Sequence, residues 1–218
     1  MPDIQPFGDS AVLVSYDVDG FCTRTVKTLH ALAQHLRETH NWEDIVPAYD
    51  SLLVRFNPAH EPQADVMAKV KTSITQMSPK NQSGRLVEFP VCYGGDFGPD
   101  MAQIQKSSGL SEPEIVALHS GQDYLVCVMG FIPGFTFLSE APAPLHHPRH
   151  ATPRLKVPAG SVGIAGWQTG LYGLESPGGW QLIGRTPLSI FDPNRDTPFL
   201  IEAGDTVRFI PETAAIFS

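Results

Sequence analysis

The sequence predicts an α+β protein with two domains, the first over residues 1–84 and the second over residues 85–218. Strand-like and helical patterns alternate as far as Val91, and short strands separated by glycine and proline follow from Tyr124 onward. Between the two patterns lies a short polar segment, Asn81-Gln82-Ser83-Gly84, whose composition is typical of a linker.

The first 91 residues contain four predicted strands and two predicted helices, and the last strand could belong to either domain. Apolar residues recur at the spacing of one helical face between Thr23 and Glu38, and again between Met67 and Met77. The predicted elements are, in order, strand Ser10–Tyr16, helix Thr23–Glu38, strands Ile45–Ala48 and Ser51–Phe56, helix Met67–Met77 and strand Arg85–Val91. This β-α-β-β-α-β order is that of a ferredoxin-like sandwich.

The second domain begins with two short helices and continues as β-structure. A glycine-rich turn, YGGDFGP, leads into the first helix, and a capping box from Ser111 to Glu114 opens the second. The strands that follow are predicted in YLVCVMGF, SVGIAG, WQLIG, PLSIFD, PFLIEAG and DTVRFIP. Short strands with glycine and proline turns favour a barrel or a sandwich.

Composition excludes several classes of protein. The net charge of −8 argues against non-specific binding to nucleic acid. No apolar run reaches the length of a membrane span, and the first residues do not resemble a signal peptide. Cys22, Cys92 and Cys127 are far apart and form no CxxC pair, which favours a reducing cytoplasm over a disulfide framework.

The common catalytic motifs are absent from the sequence. There is no P-loop, no dinucleotide fingerprint and no GxSxG nucleophile elbow. The pair His146-His147 lacks the carboxylate and the spacing of a metal site, so no metal ligand is predicted. An enzyme with this sequence would need a less common type of site.

The segment SPGGWQLIGRTP, residues 176–187, is a candidate for such a site. Gly178 and Gly179 precede Trp180, and this arrangement is open to two interpretations. The glycines could form a hairpin turn before a buried strand, or they could let bare backbone approach a ligand closely. On the second interpretation, Trp180 and Arg185 line the same pocket.

Basic side chains are concentrated between residues 141 and 187. This segment contains four basic residues and one acidic residue, Glu175, in a chain that is acidic overall. The basic residues are Arg149, Arg154, Lys156 and Arg185. Arginine offers a planar fork that suits carboxylate or phosphate, so this segment predicts a small anionic ligand. Solvated surface cations are the alternative.

Two further loops add candidate residues. GFIPGFTFL, residues 130–138, is either a structural turn or an apolar wall with exposed backbone. WQTGLYG supplies Gln168, Thr169 and Tyr172, which could orient a small polar ligand. His119 lies at a helix end, where the helix dipole would favour its charged form; it is a candidate proton carrier or a C-cap.

Five segments carry a resemblance to a known family: YGGDFGPD, HSGQDYLVCVMGFIPGF, TPRLKVPAGSVGIAGWQTG, SPGGWQLIGRTP and GDTVRF. Together they closely resemble the family of the 5-oxoprolinase B subunit, which has also been labelled allophanate hydrolase subunit 1 and includes the sporulation-kinase inhibitor KipI. The resemblance implies a ferredoxin-like N-terminal domain and a cyclophilin-like β-barrel C-terminal domain similar to part of urea carboxylase.

The resemblance also implies a function. Members of the family act with two partners, a homologous C subunit plus a larger A subunit, to hydrolyse 5-oxoproline to glutamate with ATP, which suggests Mg²⁺ shared with the partner subunits. No biotin attachment site is expected in this chain, and activity without the partners is not expected. The alternative function is that of a regulatory protein that inhibits a histidine kinase, for which an exposed Phe135, Phe137 or Trp180 would be the signature.

The resemblance and the residues together give the predicted site. His119, Arg154 and Gln168 are the candidate catalytic residues. The candidates for binding substrate or nucleotide are Phe131, Pro133, Gly134, Phe135, Arg149, Lys156, Thr169, Tyr172, Gly178, Gly179, Trp180 and Arg185. The chain departs from the family where Gly134-Phe135-Thr136-Phe137-Leu138 replaces GFPYL, where His150 follows Arg149, and where Gly173 follows Tyr172.

Overall fold

The computed structural model describes residues 2–77 and 84–217. The chain divides into two units, and the division falls between Ser83 and Gly84. Of the predicted linker, residues 81–83 lie outside the described residues. No helix of the described part is long and apolar enough to cross a membrane.

The N-terminal unit is a four-stranded antiparallel sheet with two helices. Its elements are β1 (Asp3–Phe7), β2 (Ala11–Ser15), α1 (Thr23–Thr39), β3 (Asp44–Pro47), β4 (Ser51–Arg55) and α2 (Gln63–Gln76). The strands lie side by side in the order β1-β2-β4-β3. Apolar faces of both helices pack against the sheet, and Leu29, Leu32 and Leu36 of α1 are completely buried there.

The element order of this unit differs from the prediction. The chain runs β-β-α-β-β-α, so the predicted β-α-β-β-α-β order is wrong. The sequence gives no clear signal for strand β1, because its side chains are mostly exposed and it contains Pro6. The strand predicted at Arg85–Val91 is present, but it belongs to the second unit.

The C-terminal unit is a closed barrel of seven strands with two helices. Its elements are β5 (Leu86–Tyr93), α3 (Met101–Ser108), α4 (Glu112–Ser120), β6 (Asp123–Met129), β7 (Thr136–Glu140), β8 (Arg154–Val157), β9 (Ser161–Ala165), β10 (Gln168–Leu171), β11 (Ser176–Gly178), β12 (Gln181–Arg185) and β13 (Thr206–Glu212). The barrel order is β10-β7-β6-β13-β5-β12-β9, and β8 pairs with β11 outside it. Short 3₁₀ helices lie at Ala143–Leu145 and Ala214–Phe217.

Aliphatic and aromatic side chains fill the barrel interior. Val126, Leu138, Val162, Leu171 and Phe209 each come from a different strand and are all at most 1% exposed. The α4 capping box from Ser111 to Glu114 is present as predicted. The segments PLSIFD and PFLIEAG are not strands; they meet only through an isolated bridge between Phe191 and Phe199.

Candidate functional site

A second apolar cluster lies on the outer face of the barrel, around Trp180. The strand register aligns, across four neighbouring strands, Phe137, Gly170, Gly163 and Leu182. The two glycines leave space that the indole fills: a Cβ on Gly170 would lie 2.9 Å from the Trp180 ring. Trp180 is consequently only 6% exposed and packs against the barrel.

Gly178 also makes room for an aromatic ring. A Cβ there would lie 2.3 Å from the hydroxyl of Tyr172, which is itself 1% exposed and packs edge-on against Phe135 at 4.8 Å. Gly179 is less constrained, because a Cβ there would approach nothing closer than 3.6 Å. The predicted close approach to bare backbone is therefore real at Gly178, but the group that approaches is a tyrosine of the same chain.

The loop before β7 has both a buried and an exposed part. Gly134 packs against the backbone of Gly173, and Phe135 lies in the outer cluster at 1% exposure. Phe131 is 69% exposed and has φ of +74°, a conformation that is uncommon for a bulky side chain. Pro133 is exposed as well.

Asp100 is the centre of a polar cluster on this face. Its Oδ1 accepts a hydrogen bond of 2.6 Å from Arg154 Nη2, and its Oδ2 accepts one of 2.6 Å from the backbone N–H of Leu182. His150 Nε2 lies 3.2 Å from Oδ2, off the direction of a hydrogen bond. The carboxylate, only 6% exposed, thus ties β12 to the start of β8 and the preceding loop.

The ionisation of Asp100 follows from these contacts. Burial raises the pKa of the carboxyl, but the hydrogen bonds from Arg154 and the Leu182 N–H, together with nearby His150, outweigh it. The net effect is a pKa below the ordinary value, so Asp100 is a carboxylate at neutral pH.

Arg149 lies beside this cluster. Its Nε would be 3.6 Å from a Cβ on Gly179. Burial raises the pKa of Tyr172, while a hydrogen bond from the Trp180 backbone and the charges of Arg149 and Arg154 act in the opposite direction. Both guanidinium groups therefore lie close enough to the Tyr172 hydroxyl to influence it. The raised pKa keeps the phenol protonated, so it can act as a donor.

Several buried polar atoms of this region have no hydrogen-bond partner among the described residues. They are His150 Nε2, Arg154 Nη1, Ser176 Oγ and Gln181 Oε1. The loop that covers them is otherwise well fixed, because His150 N–H donates to the Gly179 carbonyl at 2.7 Å and Gln181 Nε2 donates to the Pro148 carbonyl at 2.9 Å. Buried polar atoms are nearly always satisfied, and ordered water is a common partner for atoms covered in this way.

The basic excess predicted from sequence is smaller in the structure. Asp100, which is distant in sequence, neutralises Arg154, and Glu175 lies 3.0 Å from Lys156 in an exposed ion pair. Lys156 is thus a solvated surface cation. Arg149 has no ion-pair partner among the described residues, and it remains the exposed cation of this cluster.

Arg185 is separated from Trp180, contrary to the expectation that they share a pocket. Trp180 directly precedes β12, whereas Arg185 is its last residue. Arg185 Nε donates to the Ala159 carbonyl at 3.0 Å, and the guanidinium lies 5.6 Å from the centre of the Phe217 ring. Phe217 in turn stacks on Phe97 at 4.4 Å. Arg185 therefore fixes the C-terminal 3₁₀ helix to the barrel.

His119 lies inside the barrel and is completely buried. The Thr169 hydroxyl donates to the Gly163 carbonyl at 3.1 Å, so it must accept from His119 Nε2–H at 2.8 Å. Nδ1 then accepts from the Tyr93 hydroxyl at 2.8 Å. These bonds fix one neutral tautomer.

Burial, and not the helix dipole, decides the charge of His119. It lowers the pKa to about 3, so the expectation that the helix end favours the charged form is wrong. The side chain is no C-cap either, because its nitrogens bond to Tyr93 and Thr169. Gln168 lies at the start of β10, where it pairs with Glu140 and Ala165. It is not among the contacts of Asp100.

Within residues 2–77 and 84–217, no three His, Cys, Asp or Glu side chains are grouped as metal ligands would be. Three residues of the polar cluster, Asp100, His150 and Gln181, were not predicted from sequence. In the sequence, Asp100 is the last residue of the segment YGGDFGPD, some fifty residues before Arg154 and His150. Its position directly before a helix was the one available signal.

A seven-stranded barrel with a carboxylate-centred polar cluster on its outer face is the architecture that these observations define. The chain belongs to the family described as carboxyltransferase domain, subdomain C and D, which matches residues 2–201.

Particular relatives share most of the chain. Two proteins named as the B subunit of 5-oxoprolinase, from Escherichia coli O157:H7 and Bacillus subtilis (strain 168), are 44% and 38% identical to it. The first match covers 87% of both chains; the second covers 95% of this chain and 91% of the relative.

Solved structures show the same fold. A crystal structure of TTHA0988 is 35% identical, with a TM-score of 0.83 over 94% of this chain, which spans 40% of the length of TTHA0988. The urea amidolyase of Kluyveromyces lactis is only 18% identical, but it matches 98% of this chain, which corresponds to 15% of the amidolyase, with a TM-score of 0.76. That likeness concerns the fold alone.

Proposed function

We propose that this chain is the B subunit of a 5-oxoprolinase, a hydrolase that opens the cyclic amide of 5-oxoproline to give glutamate. The observation that carries the proposal is the 44% identity, over 87% of each chain, to a relative of that name. The polar cluster around Asp100 supports it, because a small anionic substrate needs convergent cationic and polar groups. The enzyme acts with a homologous C subunit plus a larger A subunit.

The reaction consumes ATP because the amide is too stable to open without activation. In the proposed sequence, the lactam oxygen attacks the γ-phosphorus of ATP, an O–P bond forms, and ADP leaves. Water then adds to the activated carbon, the C–N bond breaks with protonation of nitrogen, and a second water releases inorganic phosphate. The products are glutamate, ADP and phosphate.

Within this chain, the residues proposed for the site are those around Asp100. Arg149 and Arg154 attract a negatively charged group, while Asp100 positions Arg154. Tyr172 contributes a protonated hydroxyl beside both guanidinium groups. Mg²⁺ is proposed to bind with the nucleotide and to be shared with the partner subunits. Activity is expected only in the complex, where the partner subunits contribute to binding the nucleotide.

The histidine-kinase alternative has less support. It required exposed aromatic side chains at Phe135, Phe137 or Trp180, and both Phe135 and Trp180 are buried in the outer cluster. Phe137 is partly buried in the same cluster. The aromatic side chain with large exposure in this region is Phe131.

We also propose a fold type for each of the two units and a cellular compartment for the protein. Across the N-terminal sheet, the order β1-β2-β4-β3 corresponds to a ferredoxin-like sheet in which the first strand takes the place of the last. The barrel is proposed to be cyclophilin-like. The three cysteines are free, and together with the use of ATP they support a place in the cytoplasm.

Co-expression of this chain with candidate C and A subunits tests the function. We expect ATP-dependent release of glutamate from 5-oxoproline by the complete complex, and none when any one of the three chains is omitted. An assembled complex that binds nucleotide but leaves 5-oxoproline intact would overturn the proposal. A histidine-kinase autophosphorylation assay with the isolated chain would then test the alternative.

A further inference from the structure

We propose that Arg149, whose exposed guanidinium lies beside the polar cluster of Arg154 and Asp100, forms the subsite that binds the carboxylate of the substrate. This inference rests on the proposed function, and it assigns to this chain the recognition of one particular group. Four observations on the outer face of the barrel carry it.

The first observation is the state of the two guanidinium groups. Arg154 uses Nη2 to bind Asp100 at 2.6 Å, and its buried Nη1 has no acceptor among the described residues. Arg149 is exposed and has no acidic partner in the same part of the chain. The exposed guanidinium of Arg149 therefore has donors that an oxyanion can reach, whereas the unused donor of Arg154 is buried.

The second observation is the fixed position of Arg154. Asp100 is almost completely buried, and it is itself held by the Leu182 N–H at 2.6 Å. The guanidinium therefore cannot turn without breaking a charged hydrogen bond. A preorganised donor loses little conformational freedom when the ligand binds.

The third observation is the backbone of Gly178 and Gly179, which lies next to the Arg149 guanidinium. Gly179 has no side chain, and a Cβ there would lie 3.6 Å from Arg149 Nε and 3.8 Å from its Nη2, so the guanidinium rests directly over bare backbone. The Tyr172 hydroxyl adjoins Gly178 and lies within the influence of both cations. The buried phenol thus lies beneath the site and keeps the backbone of Gly178 in place.

The fourth observation is the charge of the cluster. Arg149 and Arg154 contribute two positive charges and Asp100 contributes one negative charge, which leaves one positive charge among these three side chains. One carboxylate balances that charge. The phosphates of ATP carry several negative charges and need more cations than this cluster has. The carboxylate of 5-oxoproline is therefore the better match, and the nucleotide is expected to bind elsewhere in the complex.

The test compares 5-oxoproline with its neutral amide, 5-oxoprolinamide, in the complete complex with the C and A subunits. Equilibrium binding of both compounds and of ATP is measured by calorimetry, and KM and kcat for 5-oxoproline are measured in parallel. The variants are Arg149→Ala, Arg149→Lys and Lys106→Ala. Lys106 is a cation on α3, away from the contacts of Asp100, and serves as the matched control.

We expect the unmodified complex to bind the acid about 10- to 100-fold more tightly than the amide, as the loss of a charged hydrogen bond would cause. Arg149→Ala should abolish this preference and raise KM by a similar factor, with unchanged affinity for ATP. Arg149→Lys should fall between the two, and Lys106→Ala should match the unmodified complex.

Two results would overturn the proposed carboxylate subsite, and both can be distinguished from a result that overturns the proposed 5-oxoprolinase function. If the complex hydrolyses 5-oxoproline but Arg149→Ala leaves both the acid preference and KM unchanged, the carboxylate binds elsewhere and the function stands. Equal binding of acid and amide by the unmodified complex means that the unused donors bind water only. If the complex neither binds nor hydrolyses 5-oxoproline, the function and the subsite both fail.

Discussion

The two adjacent glycines before Trp180 provide a controlled test of the outer cluster. Gly178→Ala places a methyl group 2.3 Å from the Tyr172 hydroxyl oxygen, about 1 Å closer than ordinary contact allows. Gly179→Ala places the same group 3.6 Å from its nearest neighbours, which is ordinary contact. The two substitutions add the same atom to neighbouring positions, so they differ mainly in the space available.

The expected cost follows from how tightly Tyr172 is held. Its ring is 1% exposed and packs edge-on against Phe135, whose own ring contacts Trp180 at 5.4 Å. A displacement of Tyr172 must therefore disturb the cluster as a whole. Overpacking of this kind costs about 1–3 kcal/mol, whereas Gly179→Ala should change the free energy of unfolding by less than about 0.5 kcal/mol.

Urea unfolding, followed by Trp fluorescence and by far-UV circular dichroism, measures both values. Trp180 fluorescence should also shift to longer wavelength in Gly178→Ala, because the loosened cluster admits water. Equal stability of the two variants would refute the argument, since it would show that Tyr172 is not confined by Gly178.

Three further predictions follow from other parts of the barrel. Because burial lowers the pKa of His119 to about 3, the unfolded state binds more protons than the folded state between pH 6.5 and 3. The free energy of unfolding should therefore fall as the pH falls through that window, and at pH 5 it should be about 2 kcal/mol below its value at neutral pH. Urea unfolding measures this dependence, and His119→Gln should reduce its slope. Asp100→Asn should lower the free energy of unfolding by about 1–2 kcal/mol and let the Arg154 side chain rotate. In ¹⁵N NMR, the signals of the Arg154 guanidinium should then be averaged. Unchanged signals would show that Asp100 does not hold Arg154 in place. Gly170→Ala, whose Cβ would lie 2.9 Å from the Trp180 ring, should cost about 1–3 kcal/mol, and a neutral result by thermal unfolding would mean that the indole can shift freely.

Local chemistry made much of the barrel predictable. The capping box at Ser111 and Glu114 depends on two residues three positions apart, and it is present as predicted. Strands such as Ser161–Ala165 are almost entirely apolar or glycine, so their patterns are strong. The edge strand Asp3–Phe7 carries no such pattern, because an exposed edge needs no buried face.

The candidate site was less predictable because its contacts are long-range. Sequence identified Arg149 and Arg154 as candidates for an anion site, but it could not show that Asp100 neutralises one of them from outside the basic segment. Similarly, nothing local reveals that Arg185 contacts the Ala159 carbonyl and the Phe217 ring. The glycines of SPGGW indicated a close approach correctly, while the identity of the approaching group depended on the tertiary fold.

The central claim is that this chain is an obligatory part of an ATP-dependent 5-oxoprolinase. The most direct measurement is the ratio of glutamate released to ADP formed when 5-oxoproline is added to purified C and A subunits, with and without this chain. The proposed reaction predicts a ratio of one with the chain and no glutamate without it. Glutamate formed at the same rate without the chain, or ADP formed with no glutamate at any concentration of the chain, would contradict the claim.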